Sequence, residues 1–172
     1  MTDHRIGEAV ASLEQYYRNL DDPGSRADLT ATATIESGLL CRIESPDGKA
    51  IYTDMPEAVG GTNSANSPGW HLRAALASCD ATLLAMRAAR QGIELDCIQV
   101  RVQTWSDGRG MFLDEGIVPG STKMQLVFTI SAARASDDDI RELVHWVEAH
   151  SPVGSDISRA IELDSSLELG QA

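Results

Sequence analysis

The stretch from Ser67 to Gly92, SPGWHLRAALASCDATLLAMRAARQG, constrains the fold of this chain more than any other. It opens as a helix opens, with Ser67 as N-cap and Pro68 at the first helical position, where a missing N–H costs nothing. Gly92 closes it, and Arg87 and Arg90 in the last turns complement the helix dipole. Between these ends stand seven alanines. Leu72, Leu76, Cys79, Leu83 and Met86 recur at helical spacing and predict one apolar face. Ala77, Ala81, Ala85 and Ala88 form a stripe of small residues that allows another backbone to approach closely. So little charge through the middle predicts a helix buried on most sides, with the Cys79 thiol at its centre.

The segments before this helix set its context. Residues 5 to 19 read as an amphipathic helix with Ile6, Val10, Leu13 and Tyr17 on one stripe, ended by Asp21-Asp22-Pro23-Gly24. It is expected to be an appended helix that makes an oligomer contact. From Asp28 the period falls to two. Thr30, Thr32 and Thr34 alternate with Ala31, Ala33 and Ile35, and Leu39, Cys41 and Ile43 alternate with Leu40, Arg42 and Glu44. Turn signals at Ser37-Gly38 and Pro46-Asp47-Gly48-Lys49, followed by the short run AIYTD, predict an antiparallel meander over 28–54. Residues 55 to 66 read as the loop feeding the central helix, and Gly60-Gly61 does not match a phosphate-binding fingerprint.

After Gly92, Ile98, Val100, Val102 and Thr104 alternate with polar neighbours, as do Met124, Leu126, Phe128 and Ile130, which predicts two long antiparallel strands. The connection from Asp107 to Ser121 is long for a hairpin, so its tip is expected over a neighbour. Ser136 with Asp139 three positions on resembles a capping box and opens a second helix, with Ile140, Leu143, Val144 and Val147 as its stripe and His150 at its end. Pro152 and Gly154 break it, and AIELDSSLEL (160–169) reads as a last strand. Strands and helices do not alternate strictly, which favours an α+β domain with an antiparallel sheet. One domain is expected over 1–172, with residues 1–24 as an extra helix and 28–168 as the core. Two helices on one sheet leave the alanine-rich helix poorly covered, and a close homodimer would cover it.

A formal net charge of −12 argues against binding a phosphate backbone, so no nucleic-acid partner is expected. Asp80 and the arginines interrupt the longest apolar run, and no membrane partner is expected either. The start MTDHRIGEAV lacks a basic region followed by an apolar one. Three cysteines without a C-x-x-C suit a reducing compartment, and the cytoplasm is the expected location.

Cys79 is the residue the pattern singles out for chemistry. One reading is a nucleophilic thiol; the other is a buried cysteine acting as a small hydrophobe. A reactive thiolate needs a cation or a helix N-terminus beside it. Cys79 lies three turns inside its helix, and Arg73 sits about 120° around the helix from it, so the cation must come from elsewhere in the fold or from a second subunit. Cys41 falls on an apolar strand face and reads as core. Cys97 shares a face with Gln99 and Arg101 and is expected to be partly exposed. His71 and His150 read as boundary residues, and no His/Cys/Asp cluster has zinc spacing.

The central helix spells P-x-x-x-x-x-A-A-L-A-x-C-x-x-T, from Pro68 through Ala74, Ala75, Leu76 and Ala77 to Cys79 and Thr82. A later helix ends in His150-Ser151-Pro152-Val153, where a C-P-V-type turn would precede a last strand. Both motifs, with the element order over roughly 28–168, resemble the OsmC/Ohr family. The resemblance implies an intertwined α+β homodimer with active sites shared between subunits, and reduction of organic hydroperoxides by a pair of cysteines. The first thiolate attacks the O–O bond and becomes a sulfenic acid, and the second cysteine condenses with it to a disulfide that an external dithiol reduces. Cys79 matches the first cysteine, whereas the second falls on Ser151. The family's Glu that positions an activating Arg falls on Gly69, and Arg42 and Arg73 are the substitutes for that Arg. With no cofactor, the chain is expected to be a peroxidase-like thiol protein that attacks through Cys79. The alternatives are a non-catalytic dimer of the same fold holding a small apolar ligand, and a structural or regulatory dimer without one.

Overall fold

A computed structural model describes residues 4–21, 24–113, 116–159 and 161–170. The elements run α1 (His4–Arg18), β1 (Thr32–Ser37), β2 (Leu40–Glu44), β3 (Ala50–Thr53), α2 (Pro68–Gln91), β4 (Cys97–Ser106), α3 (Arg109–Phe112), β5 (Ser121–Ser131), α4 (Asp137–His150) and α5 (Pro152–Ser158). The fold is α+β with antiparallel strands, but its strands form two sheets, β1-β2-β3 and β4-β5. Asp22 and Pro23 of the expected stop after α1 lie outside the described residues.

The long hairpin follows its sequence period. Ile98, Val100, Val102 and Thr104 on β4, with Met124, Leu126, Phe128 and Ile130 on β5, are half-buried while their neighbours are exposed. Helix α2 crosses this inner face and α4 packs beside it. The core lies between them: Leu84 and Ala88 of α2, Leu95, and Leu143 and Val147 of α4, backed by Ile98, Phe128 and Ile130. Helix α4 starts on the expected capping box, with Ser136 and Asp139 exchanging side chain-to-backbone hydrogen bonds.

Three expectations are corrected. Within the chain, α2 is not buried on most sides: its buried row is Leu76, Asp80, Leu84 and Ala88, while Leu72 is exposed and Cys79 half-buried. Alanines on every side make the face ambiguous, and the side against β4, β5 and α4 decides it. Helix α1 packs on α2 of its own chain, turning Gly7, Val10, Ala11 and Glu14 inward and leaving Ile6, Leu13 and Tyr17 exposed. A flat alanine surface admits only small residues: a Cβ at Gly7 would stand 2.6 Å from the Ala89 carbonyl oxygen. Glu14 then accepts a hydrogen bond from Arg90 Nε at 3.2 Å. The last strand does not form. Residues 161–170 have no regular structure, and Leu163 is 92% exposed. A strand needs a paired edge, and this segment lies against none; Ala160 is outside the described residues.

The meander β1-β2-β3 forms in the expected span, with Ile35 opposite Cys41 and Ile43 opposite Ile51. Ala33, Ile35, Cys41, Ile43 and Ile51 therefore share one sheet face. All six residues of β1 are exposed, so this apolar face is largely uncovered within the chain.

Candidate active site

Helix α2 is aimed by the loop before it. Asp54, at the end of β3, is buried and accepts hydrogen bonds from the backbone N–H groups of Met55, Thr62 and Ser64 at 2.7, 3.0 and 3.1 Å. The Thr62 and Ser64 hydroxyls add 2.6 and 2.9 Å bonds. The Thr62 hydroxyl, the Ser64 N–H and the others hold the Asp54 carboxyl well below the usual carboxylate range. Nothing in the local pattern marks Asp54 as this hub, because its partners lie eight and ten positions away. Ser67 then caps α2, accepting from the Trp70 N–H.

Cys79 sits midway along α2, half-buried, and its Sγ lies 3.7 Å from the Ser151 Oγ. Ser151 is at a joint. Its N–H closes α4 by donating to the Val147 carbonyl at 2.9 Å, and its Oγ opens α5 by accepting from the Gly154 N–H at 3.0 Å. Pro152 at the first position of α5 makes the break after His150 sharp. Gly154 is tied to the same spot, since a Cβ there would stand 2.9 Å from the Ser151 Oγ. The position that the resemblance pairs with Cys79 is thus beside it in space, carrying a hydroxyl.

Asp80, the next residue, is 2% exposed. Burial pushes its carboxyl up from the usual carboxylate value, and a hydrogen bond from Ser151 works against that. Its Oδ1 has no partner. Asp80 and Ser151 line a cavity of about 710 Å³ whose other walls include Leu76, Met124, Leu126 and Ile157.

Each of the two candidate arginines has a side-chain partner. Arg73 Nη1 donates to the Thr104 Oγ1 on β4 at 3.1 Å, and Arg42 pairs with Glu44. Gly69 stands one turn before Arg73, and a Cβ there would come 3.8 Å from Arg73 Nη1, so a carboxylate at that position would reach this guanidinium. Cys41 is half-buried on β2 and Cys97 exposed at the start of β4, and both are free thiols. His71 faces the Tyr52 carbonyl through Nε2 at 3.2 Å. His150 stacks on Trp146 at 4.2 Å, and Arg87 lies 4.8 Å from the same indole, a layered contact that sequence spacing did not disclose. Among the described residues no cluster of His, Cys, Asp and Glu could hold a metal ion, and no helix is long and apolar enough to cross a membrane.

The family model for OsmC-like protein matches residues 61–166, which contain α2, the Cys79–Ser151 contact and α4. The chain belongs to the OsmC-like family. Its fold agrees with solved OsmC-like structures. An OsmC-like protein from Mycoplasma pneumoniae superposes with a TM-score of 0.65 at 17% identity, covering 78% of this chain and 89% of that one. An organic hydroperoxide resistance protein from Elizabethkingia anophelis gives 0.58 at 17%, covering 76% and 88%. An organic hydroperoxide resistance protein OsmC from Legionella pneumophila gives 0.56 at 18%, covering 78% and 91%. At such identities these likenesses establish the OsmC-like fold alone. No curated protein matches the chain in sequence.

Proposed function

We propose that this OsmC-like chain reduces organic hydroperoxides, with Cys79 as the attacking thiol and an external dithiol as reductant. The observation that carries this reading is the contact between Cys79 Sγ and Ser151 Oγ, at the two positions where the family resemblance sets its paired cysteines. In the scheme, the Cys79 thiolate attacks one oxygen of R–OOH, the O–O bond breaks, and R–OH leaves as Cys79 becomes a sulfenic acid. Ser151 cannot condense with it. One thiol of the dithiol then displaces water to give a mixed disulfide, and its second thiol closes a disulfide and returns Cys79. A reducing compartment such as the cytoplasm would supply that dithiol. No metal or organic cofactor enters.

The scheme includes a homodimer. The uncovered apolar face with Ile35 and Ile51, and the exposed Met111, Phe112 and Leu113 on and after α3, offer a second copy much apolar surface to bury. A partner subunit could also bring a cation to Cys79. The test is steady consumption of cumene hydroperoxide with excess dithiothreitol. Activity lost in Cys79→Ser and kept in Cys41→Ser supports the proposal; activity equal in Cys79→Ser and wild type refutes it. The largely apolar cavity beside Asp80 favours a second reading, a dimer that binds an apolar ligand without turnover. Native mass spectrometry finding such a molecule bound, with no peroxide consumed, would select it.

A further inference from the structure

Helix α2 buries a carboxyl where the fold asks for an apolar side chain. Asp80 lies on the row between Leu76 and Leu84, is 2% exposed, and its Oδ1 is sealed without a hydrogen-bond partner. A carboxylate there forfeits its hydration and receives nothing in exchange, whereas the neutral acid forfeits far less. The walls around it differ in how firmly they are held. Asp80 lines the 710 Å³ cavity with Leu76 of its own helix, Met124 and Leu126 of β5, and Gly154 and Ile157 of α5. Helices α2 and α4 run for 24 and 14 residues and share the core, and β5 is paired along β4. Helix α5 has seven residues, none of them buried, and rests its first turn on α2, where a Cβ at Gly154 would stand 3.7 Å from Leu76 Cδ1. Beyond it, residues 161–170 have no regular structure, so α5 is anchored at one end alone, the Ser151–Pro152 joint. The wall that yields most easily is α5.

We propose that Asp80 is a pH-sensitive latch for α5. With its proton on, the sealed carboxyl lets α5 lie against α2; when the proton leaves to solvent, the carboxylate demands water and α5 lifts at the Ser151–Pro152 joint. Lifting uncovers the apolar walls of the cavity, so access to it rises with pH. The latch does not depend on what Cys79 does chemically. Burial pushes the Asp80 carboxyl above the usual carboxylate value of 3.8, so the closed form is most favoured below that pH and loses ground as pH rises through the closed-state value. Glu148 of α4, across the cavity, is a like charge that favours the protonated form too, and Arg159 after α5 lies 3.7 Å from Asp156. Along α2, Cys79 lies against Ser151, Arg73 binds Thr104, and Arg87 lies on Trp146, on which His150 of α4 stacks. From β5, Met124, Gln125 and Leu126 bring nothing that titrates.

A helix of seven residues does not keep its hydrogen bonds alone in water, so a lifted α5 exchanges its amide protons. The reporters are the N–H groups of Ser155 and Arg159, which donate to the Ser151 and Ser155 carbonyls at 2.8 and 3.0 Å. The experiment is hydrogen exchange of the full chain from pH 4.5 to 8, read by mass spectrometry for α5 and for α4. Each rate is divided by the intrinsic rate at its pH to give an opening fraction. For wild type, the α5 opening fraction should rise by up to about tenfold per pH unit until the carboxyl is ionised, and by at least about threefold over the whole range, while that of α4 stays level. For Asp80→Asn, which cannot titrate, the α5 fraction should be level. Asp80→Leu should give the same level profile and keeps the test open if Asp80→Asn does not fold. A wild-type α5 profile that is level, an equal rise in either variant, or an equal rise in α4 overturns the latch. No hydroperoxide enters this readout, so the latch and the peroxidase reading fail separately.

Discussion

Ser151→Cys tests the placement on which the site depends. A disulfide needs its sulfurs about 2.05 Å apart. Cys79 Sγ and Ser151 Oγ are 3.7 Å apart, so a longer C–S bond and a modest side-chain rotation would close most of the gap. The bridge would link residues 72 positions apart, and closing a loop of that length restrains the unfolded chain by about 4 kcal/mol. Against this stands the Ser151 cap on α5, whose loss costs about 1 kcal/mol. The net gain of about 3 kcal/mol corresponds to a rise in Tm of roughly 6–12 °C for a chain of this size. The assay is thiol titration with Ellman's reagent after one equivalent of cumene hydroperoxide, with scanning calorimetry before and after dithiothreitol. Two thiols should disappear in Ser151→Cys, and the Tm difference should vanish on reduction. A folded variant that keeps all its thiols, or whose bridge forms between molecules on a non-reducing gel, would refute the adjacency.

Other perturbations test the remaining parts. Leu84→Ala removes a fully buried side chain at the centre of the core and should cost about 2–5 kcal/mol in urea unfolding; a cost below 1 kcal/mol would mean that α2 packs by another face. Asp54 has a folded pKa held below its unfolded value of 3.8, so its contribution is present above that pH and lost as pH falls. The difference in urea midpoint between wild type and Asp54→Asn should therefore be constant from pH 7 to about pH 5 and shrink below about pH 4; a difference that grew on acidification would contradict the hydrogen-bond assignment. Sedimentation should give twice the monomer mass, and Ile51→Glu, on the uncovered apolar face, should weaken association by at least about tenfold. A wild-type protein that stays monomeric at all concentrations would remove the dimer from the scheme.

What could be read along the chain, and what could not, follows from the range of each interaction. The capping box at Ser136 and Asp139 and the alternation of β4 and β5 are local, so periodicity and spacing displayed them. The buried face of α2 depends on what lies beside it, and alanines that suit every face gave no answer. The strand expected over 160–169 has the right period, with Ile161, Leu163, Leu167 and Leu169 on one side, but period does not supply an edge to pair with. For the site, Cys79 stood out as a thiol in a motif, and the family resemblance alone pointed to Ser151 across 72 positions.

Asp80 is the instructive omission. In the sequence it counts only as an interruption that keeps an apolar run from crossing a membrane. In space it lies on the buried row of α2, between Leu76 and Leu84, and lines the same cavity as Ser151. A buried carboxyl with one of its two oxygens unpaired costs the fold stability relative to a leucine. Asp80→Leu would restore the apolar row and should raise the urea midpoint of unfolding. A lowered midpoint would contradict the burial cost assigned to this carboxyl.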